Sequence, residues 1–150
     1  MKGKMNKKGV TLIELIIVFV IIAIGAVLVA PNVRPWLLNY RLRSATRDIV
    51  STLRTAQMKA VSTNMEYRVS FDKGTGGYIL QRHTGGIWVD EGVRQTLPTG
   101  IGITFSPDND PFDVEFNPNS TSSTGSVTLT NTKQTKRITL TTSTARIHVE

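Results

Sequence analysis

The chain has 150 residues, a length suited to one folded domain, with no cysteine and a formal net charge of +7 from 18 Lys+Arg against 11 Asp+Glu. Without cysteine, disulfides, thiolate chemistry and cysteine zinc sites are excluded. Lys2, Lys4, Lys7 and Lys8 crowd the first eight residues, and without residues 1–9 the balance falls to 14 basic against 11 acidic, so the basicity is weak support for nucleic-acid binding.

From Leu15 to Ala30 the chain has sixteen residues with no charged or strongly polar side chain. The wider stretch 10–33 is interrupted only by Thr11, Glu14, Pro31 and Asn32. As a helix it spans roughly 36 Å against a bilayer core of about 30 Å, which predicts a transmembrane segment. A cleaved secretory signal is the alternative, but the apolar run is long for one, and Leu28-Val29-Ala30 has a large residue where a small one is wanted. Glu14 is anomalous. A carboxylate within a membrane helix is costly and needs a partner, unless it lies at headgroup level and is solvated. Orientation is not settled by charge: the four leader lysines are matched by Arg34, Arg41, Arg43 and Arg47 on the other flank.

The segment Lys7-Lys8-Gly9-Val10-Thr11-Leu12-Ile13-Glu14-Leu15 resembles the prepilin signature of type IV pilins and type II secretion pseudopilins. Where that family usually has Phe, this chain has Val10. The resemblance implies a leader, residues 1–9, counted from Met1 or Met5 and removed by a prepilin peptidase after Gly9. It also implies N-methylation of Val10. Glu14 would neutralise the N-terminal amine of a neighbouring subunit, since opposite charges in low dielectric attract strongly and neither is tolerable alone. Further implied partners are other pilins or pseudopilins in a filament, an inner-membrane assembly platform, and lipid before assembly. The implied location is the bacterial inner membrane, crossed once, with the N-terminus cytoplasmic and the head periplasmic.

Beyond Pro31, where a kink is expected, a helical period resumes over residues 34–64. Leu38, Leu42, Ala45, Ile49, Leu53, Ala56 and Ala60 fall within about 80° of one another on a helix, an apolar stripe fit to pack on a domain. Arg43, Arg47 and Arg54 fall opposite. They are either a solvated helix back or a contact surface for acidic patches or DNA phosphates. Ser62-Thr63-Asn64 is the expected helix end.

Residues 65–150 read as antiparallel strands. Glu66–Phe71 alternates, Asp72–Gly77 turns, and Tyr78–Arg82 returns. Ile87–Val89, Ile101–Phe105 and Val114–Phe116 follow, then an aperiodic polar stretch, 117–125, expected to be a mobile loop. Val127–Leu129 and Ile138–Leu140 flank the turn Asn131–Lys136, and Arg146–Val149 is the last strand. A long helix followed by strands predicts an α+β fold, with the stripe covering a sheet. The segment Arg41–Asp48, Trp88 followed by Leu97-Pro98, and Phe116-x-Pro118 leading to Gly125 resemble the H-type pseudopilins and FimT-like minor pilins. That resemblance implies a pilin-like fold and a minor structural subunit.

No catalytic constellation or cofactor site is legible, and an enzyme is not expected. His83 and His148 lack metal-ligand spacing. Asp108, Asn109, Asp110 and Asp113 resemble part of a calcium loop, but the Gly and distal Glu are missing, leaving an acidic, proline-bounded loop as the plainer reading. A DNA-binding minor pilin is the functional alternative. It is suggested by Arg43, Arg47 and Arg54 with Lys133, Lys136, Arg137 and Arg146, although residues 34–150 hold only 14 basic against 10 acidic residues.

Overall fold

The computed structural model describes residues 9–141 and 146–150, and the side chains of all of these except 28–34. The leader lysines therefore lie outside the described residues. Among the described residues one helix, α1, runs Leu12–Thr63. Nine strands follow among them: β1 Tyr67–Asp72, β2 Gly77–Thr84, β3 Ile87–Asp90, β4 Gln95–Thr96, β5 Gly102–Ser106, β6 Phe112–Phe116, β7 Gly125–Thr130, β8 Thr135–Thr141 and β9 Arg146–Val149. The chain divides into two compact units, one ending at Leu37 and the other Leu38–Glu150.

In the first unit the apolar side chains of Leu12–Ile24 stand exposed. Among the described residues no helix is long and apolar enough to cross a membrane. The expected span, 10–33, includes residues 28–33, whose side chains are outside that description, as is the expected kink at Pro31.

In the second unit the helical stripe is buried as its period requires. Leu42, Ile49, Leu53, Ala56 and Ala60 are fully covered and Ala45 nearly so, while Leu38, at the start, is half-buried. Fully burying one leucine contributes about 2 kcal/mol. The left-handed Asn64, φ 53°, follows the helix end, a conformation asparagine tolerates better than most residues.

The strands form two antiparallel sheets instead of one. The first has the order β3-β2-β1-β6, with β4 also on β2; the second has the order β5-β7-β8-β9. Alternation places Tyr67, Val69 and Phe71 of β1 in the core, opposite Phe116, Val114 and Phe112 of β6. The second sheet contributes Ile103, Phe105, Val127, Leu129, Ile138 and Leu140. Both sheets and the stripe share one core. Phe105 of β5 stacks on Phe112 of β6 at 5.0 Å between ring centroids, joining the sheets.

One expectation is corrected. Residues 117–125 are not a free loop. Asn117 N–H donates to Thr121 O at 2.9 Å, Ser123 N–H donates to Glu115 O at 3.0 Å, and Ser122 is buried and bridged to Phe116. Asn and Ser side chains supply turn bonds that a hydropathy pattern does not reveal. Gly125 already belongs to β7, where an added Cβ would lie 2.6 Å from the Phe112 ring and 3.0 Å from Ser106 O. The short β4, which pairs Thr96 with Gly77 and Gln95 with Tyr78, had no sequence signal, because two residues carry no period.

Candidate functional site

The N-terminal elements are built around Thr11. Its hydroxyl accepts the Glu14 N–H at 3.3 Å and its carbonyl accepts the Leu15 N–H at 3.2 Å. Thr11 is thus the N-cap, and Thr-x-x-Glu has capping-box spacing. This role was readable from the spacing but was missed beside the prepilin resemblance. The cap places Glu14 in the first helical turn, where the helix dipole favours a carboxylate. Gly9 and Val10 precede the helix in exposed, non-helical backbone. Glu14 is exposed too, and no ion pair to its carboxylate occurs among the described residues.

The candidate basic residues fall into two groups and one separate lysine. Arg43, Arg47 and Arg54 stand exposed along the back of the helix, as their spacing predicts. Lys136 joins them. On β8 the side chains of Lys136, Ile138 and Leu140 share the face turned to the core, while Arg137, Thr139 and Thr141 share the other. Arg43, Thr46, Arg47, Lys136 and Val149 line a cavity of about 170 Å³. A larger groove of about 410 Å³ adjoins it, shares Thr46, Arg47 and Val149, and adds Val50, Arg54 and Met58. Arg146 pairs with Thr141 and so points with Arg137 from the opposite face of the sheet. Lys133 is exposed in the β7–β8 turn. The seven cations proposed from sequence therefore do not make one surface.

The remaining polar candidates hold structure. His83 Nδ1 lies 3.2 Å from Glu66 Oε2, and its ring packs on Trp88 at 4.9 Å. Arg68 lies over the same Trp88 ring at 4.4 Å, donates to Gln81 Oε1 at 2.7 Å and pairs with Asp113 at 2.6 Å. His148 lies 3.9 Å from Glu150. The oxygen-rich loop is dispersed. Asp113 faces Arg68, Asp108 pairs with Lys73 Nζ at 2.9 Å, and Asp110 accepts the Lys73 N–H at 3.0 Å. Among the described residues no group of three or more His, Asp or Glu is placed to hold a metal ion. Asp72 accepts the Thr75 N–H at 3.0 Å, and that bond lowers its pKa.

Three tethers were not anticipated. Asn131 donates to Leu38 O at 3.3 Å and to Asn39 Oδ1 at 3.0 Å, and its own oxygen accepts the N–H groups of Lys133 and Gln134. Arg41 Nη1 donates to Thr99 O at 3.1 Å and to its hydroxyl at 3.0 Å. Lys59 pairs with Glu91. Each joins residues at least 32 positions apart, beyond any local pattern.

A family model described as Type II transport protein GspH matches residues 45–145. The chain belongs to the GspH family. A second model, the prokaryotic N-terminal methylation motif, matches residues 4–30, which marks this GspH-family member as a membrane-anchored, pilin-type chain. Several solved structures share its fold. The minor pseudopilin EpsH of the Type 2 Secretion System of Vibrio cholerae aligns with TM-score 0.63 at 12% identity, covering 73% of this chain and 96% of that one. The type IV minor pilin FimU of Pseudomonas aeruginosa gives 0.62 at 15%, covering 75% and 90%. The solution structure of GspH from E. coli gives 0.60 at 11%, covering 75% and 89%. No curated protein matches by sequence. As a GspH-family chain with a pilin-like α+β fold, it is a structural minor subunit of the pseudopilin or minor-pilin kind, not an enzyme.

Proposed function

We propose that the chain is cut by a prepilin peptidase between Gly9 and Val10, methylated on the Val10 amine, and assembled through α1 into a type II secretion pseudopilus or a type IV pilus. Before assembly, residues 10–33 hold it in the bacterial inner membrane, with the N-terminus cytoplasmic and the head periplasmic. There it meets lipid, the other pilins or pseudopilins, and the inner-membrane assembly platform. The observation that carries this reading is Glu14. It is the one charge in a long apolar stretch, it is exposed, and Thr11 holds it in the first helical turn beside the proposed new N-terminus. A neighbour's amine supplies the opposite charge it needs.

The test is Glu14→Ala and Glu14→Gln in cells that assemble the filament. Insertion and cleavage should persist while incorporation falls. Incorporation equal to that of the unaltered chain would refute the reading. In-membrane cross-linking with mass spectrometry then identifies the machine: recovery with secretion pseudopilins assigns it to type II secretion, and recovery with a major pilin to a type IV pilus.

DNA uptake is the second reading. The convergence of Arg43, Arg47, Arg54 and Lys136 along adjoining cavities favours it. The position of Arg137 and Arg146 on the other face of the second sheet counts against a single phosphate track. Phosphate neutralisation would make affinity fall steeply with salt, and binding that ignores salt, or none, removes this reading.

A further inference from the structure

The last strand leaves one side open. In the order β5-β7-β8-β9, β9 pairs with β8 alone among the described residues. The backbones of Arg137 and Glu150 exchange both hydrogen bonds, Glu150 N–H to Arg137 O at 2.9 Å and Arg137 N–H to Glu150 O at 3.2 Å. Along an antiparallel ladder, hydrogen-bonded and non-bonded pairs alternate. Ile138–Val149 and Leu140–Ile147 are therefore the non-bonded pairs. The N–H and C=O groups of Ile147 and Val149 consequently point away from β8, along the open edge. Such a row of alternating donors and acceptors is a template for another strand.

The groove beside this edge has a matching chemistry. Its apolar floor is Val50, Met58 and Val149, of which Met58 is 64% and Val149 41% exposed. Its rim is Arg47 and Arg54, and the adjoining cavity adds Arg43 and Lys136. Among the described residues no Asp or Glu lines either cavity.

We propose that this groove binds an extended peptide segment bearing acidic side chains, which adds to β9 as a further strand of the second sheet. Its backbone pairs with Ile147 and Val149, and on the one face that every second residue turns to the groove, apolar side chains meet Val50, Met58 and Val149 while carboxylates meet the arginines and Lys136. A peptide fits better than a nucleic acid on two counts. Among the described residues no aromatic side chain lines the groove to stack a base. A phosphate only accepts hydrogen bonds, whereas the β9 edge offers acceptors as well as donors. Nothing in this arrangement depends on Glu14 or on processing at Gly9.

The test uses the full chain in detergent micelles and a fluorescein-labelled peptide of Val-Thr-Glu-Thr repeats, whose Val and Glu side chains share one face of a strand, read by anisotropy. Controls are the same peptide with Lys for Glu, and a short oligothymidylate. The Glu peptide should bind saturably and the Lys peptide should not. Arg47→Glu should weaken binding by about tenfold or more, the scale of one charge-assisted contact. Val149→Pro should do the same while leaving the far-UV circular dichroism unchanged, because the Val149 N–H makes no bond to β8. N-methylation of the peptide amides at the Thr positions or at the Val and Glu positions should abolish binding in one register and spare it in the other, a difference that plain charge attraction does not produce. Absence of binding, equal binding of the Lys peptide, or indifference to both N-methyl registers would overturn the proposal. Oligothymidylate binding that Arg47→Glu abolishes, with no peptide binding, would give the groove to nucleic acid instead.

Discussion

Asn131 reaches back 93 positions to donate its side-chain amide to the carbonyl oxygen of Leu38 at 3.3 Å. The same side chain organises its own turn by accepting from Lys133 at 2.8 Å and Gln134 at 2.7 Å. The turn between β7 and β8 is thereby clamped to the helix. This fixes where β8, with Lys136, lies against the arginine face.

Removing that clamp takes the partner from two partly buried acceptors, Leu38 O and Asn39 Oδ1, and from two turn N–H groups. Asn131→Ala should destabilise the chain by about 1–2 kcal/mol, the scale of the lost hydrogen bonds. Urea unfolding followed by far-UV circular dichroism measures it, and an unchanged midpoint would contradict the clamp.

Leu53 is fully buried at the centre of the helical stripe. Leu53→Ala should cost about 2–5 kcal/mol through lost burial and the cavity left behind. Arg54→Ala, one position on and exposed, should change the same unfolding midpoint little. Equal losses at both positions would mean that the stripe is not the packing face.

Gly125 leaves room for the Phe112 ring. A methyl group there would meet ring carbons at 2.6 and 3.2 Å and a backbone oxygen at 3.0 Å. Gly125→Ala should therefore destabilise by about 1–3 kcal/mol, the usual cost of overpacking. The companion change Phe112→Leu should make the alanine less costly, which a double-mutant cycle reads.

The Glu91 carboxyl is held below its ordinary 4.5 chiefly by the hydrogen bond from Lys59, with burial opposing. A carboxyl whose folded pKa is depressed contributes stability above its unfolded pKa and loses it as pH falls through the folded value. The melting temperature should thus fall on acidification below about 4.5, that ordinary value. Lys59→Met should make that fall shallower and lower the melting temperature at neutral pH. Identical acid profiles for the two chains would show that the pair carries no such linkage.

What was legible in the sequence rests on periodicity and on spacing. Steps of three and four along Leu42–Ala60 selected the buried helical face, because side chains on a helix repeat every 3.6 residues. Alternation where a strand is half-buried, as in Tyr67–Asp72, and short apolar runs bounded by turn clusters elsewhere located eight of the nine strands among the described residues. The apolar stretch with Glu14, preceded by Lys-Lys-Gly, pointed to the family whose models match the chain. Even the Thr11 cap was written locally, three residues from Glu14.

The division into two sheets, the tether of residues 117–125 to β6, and the sorting of the basic residues were decided only by the tertiary structure. Lys136 and Arg137 are neighbours in the chain, yet the pleat sends them to opposite faces, and only the packing of that sheet on α1 makes one of them a companion of Arg43 and Arg47. Arg146 is kept with Arg137 by its pairing with Thr141. Local sequence sets which side chains repeat on a face. Which faces then meet depends on strand register and on contacts such as Asn131–Leu38, between residues whose separation in the chain leaves no local pattern to read.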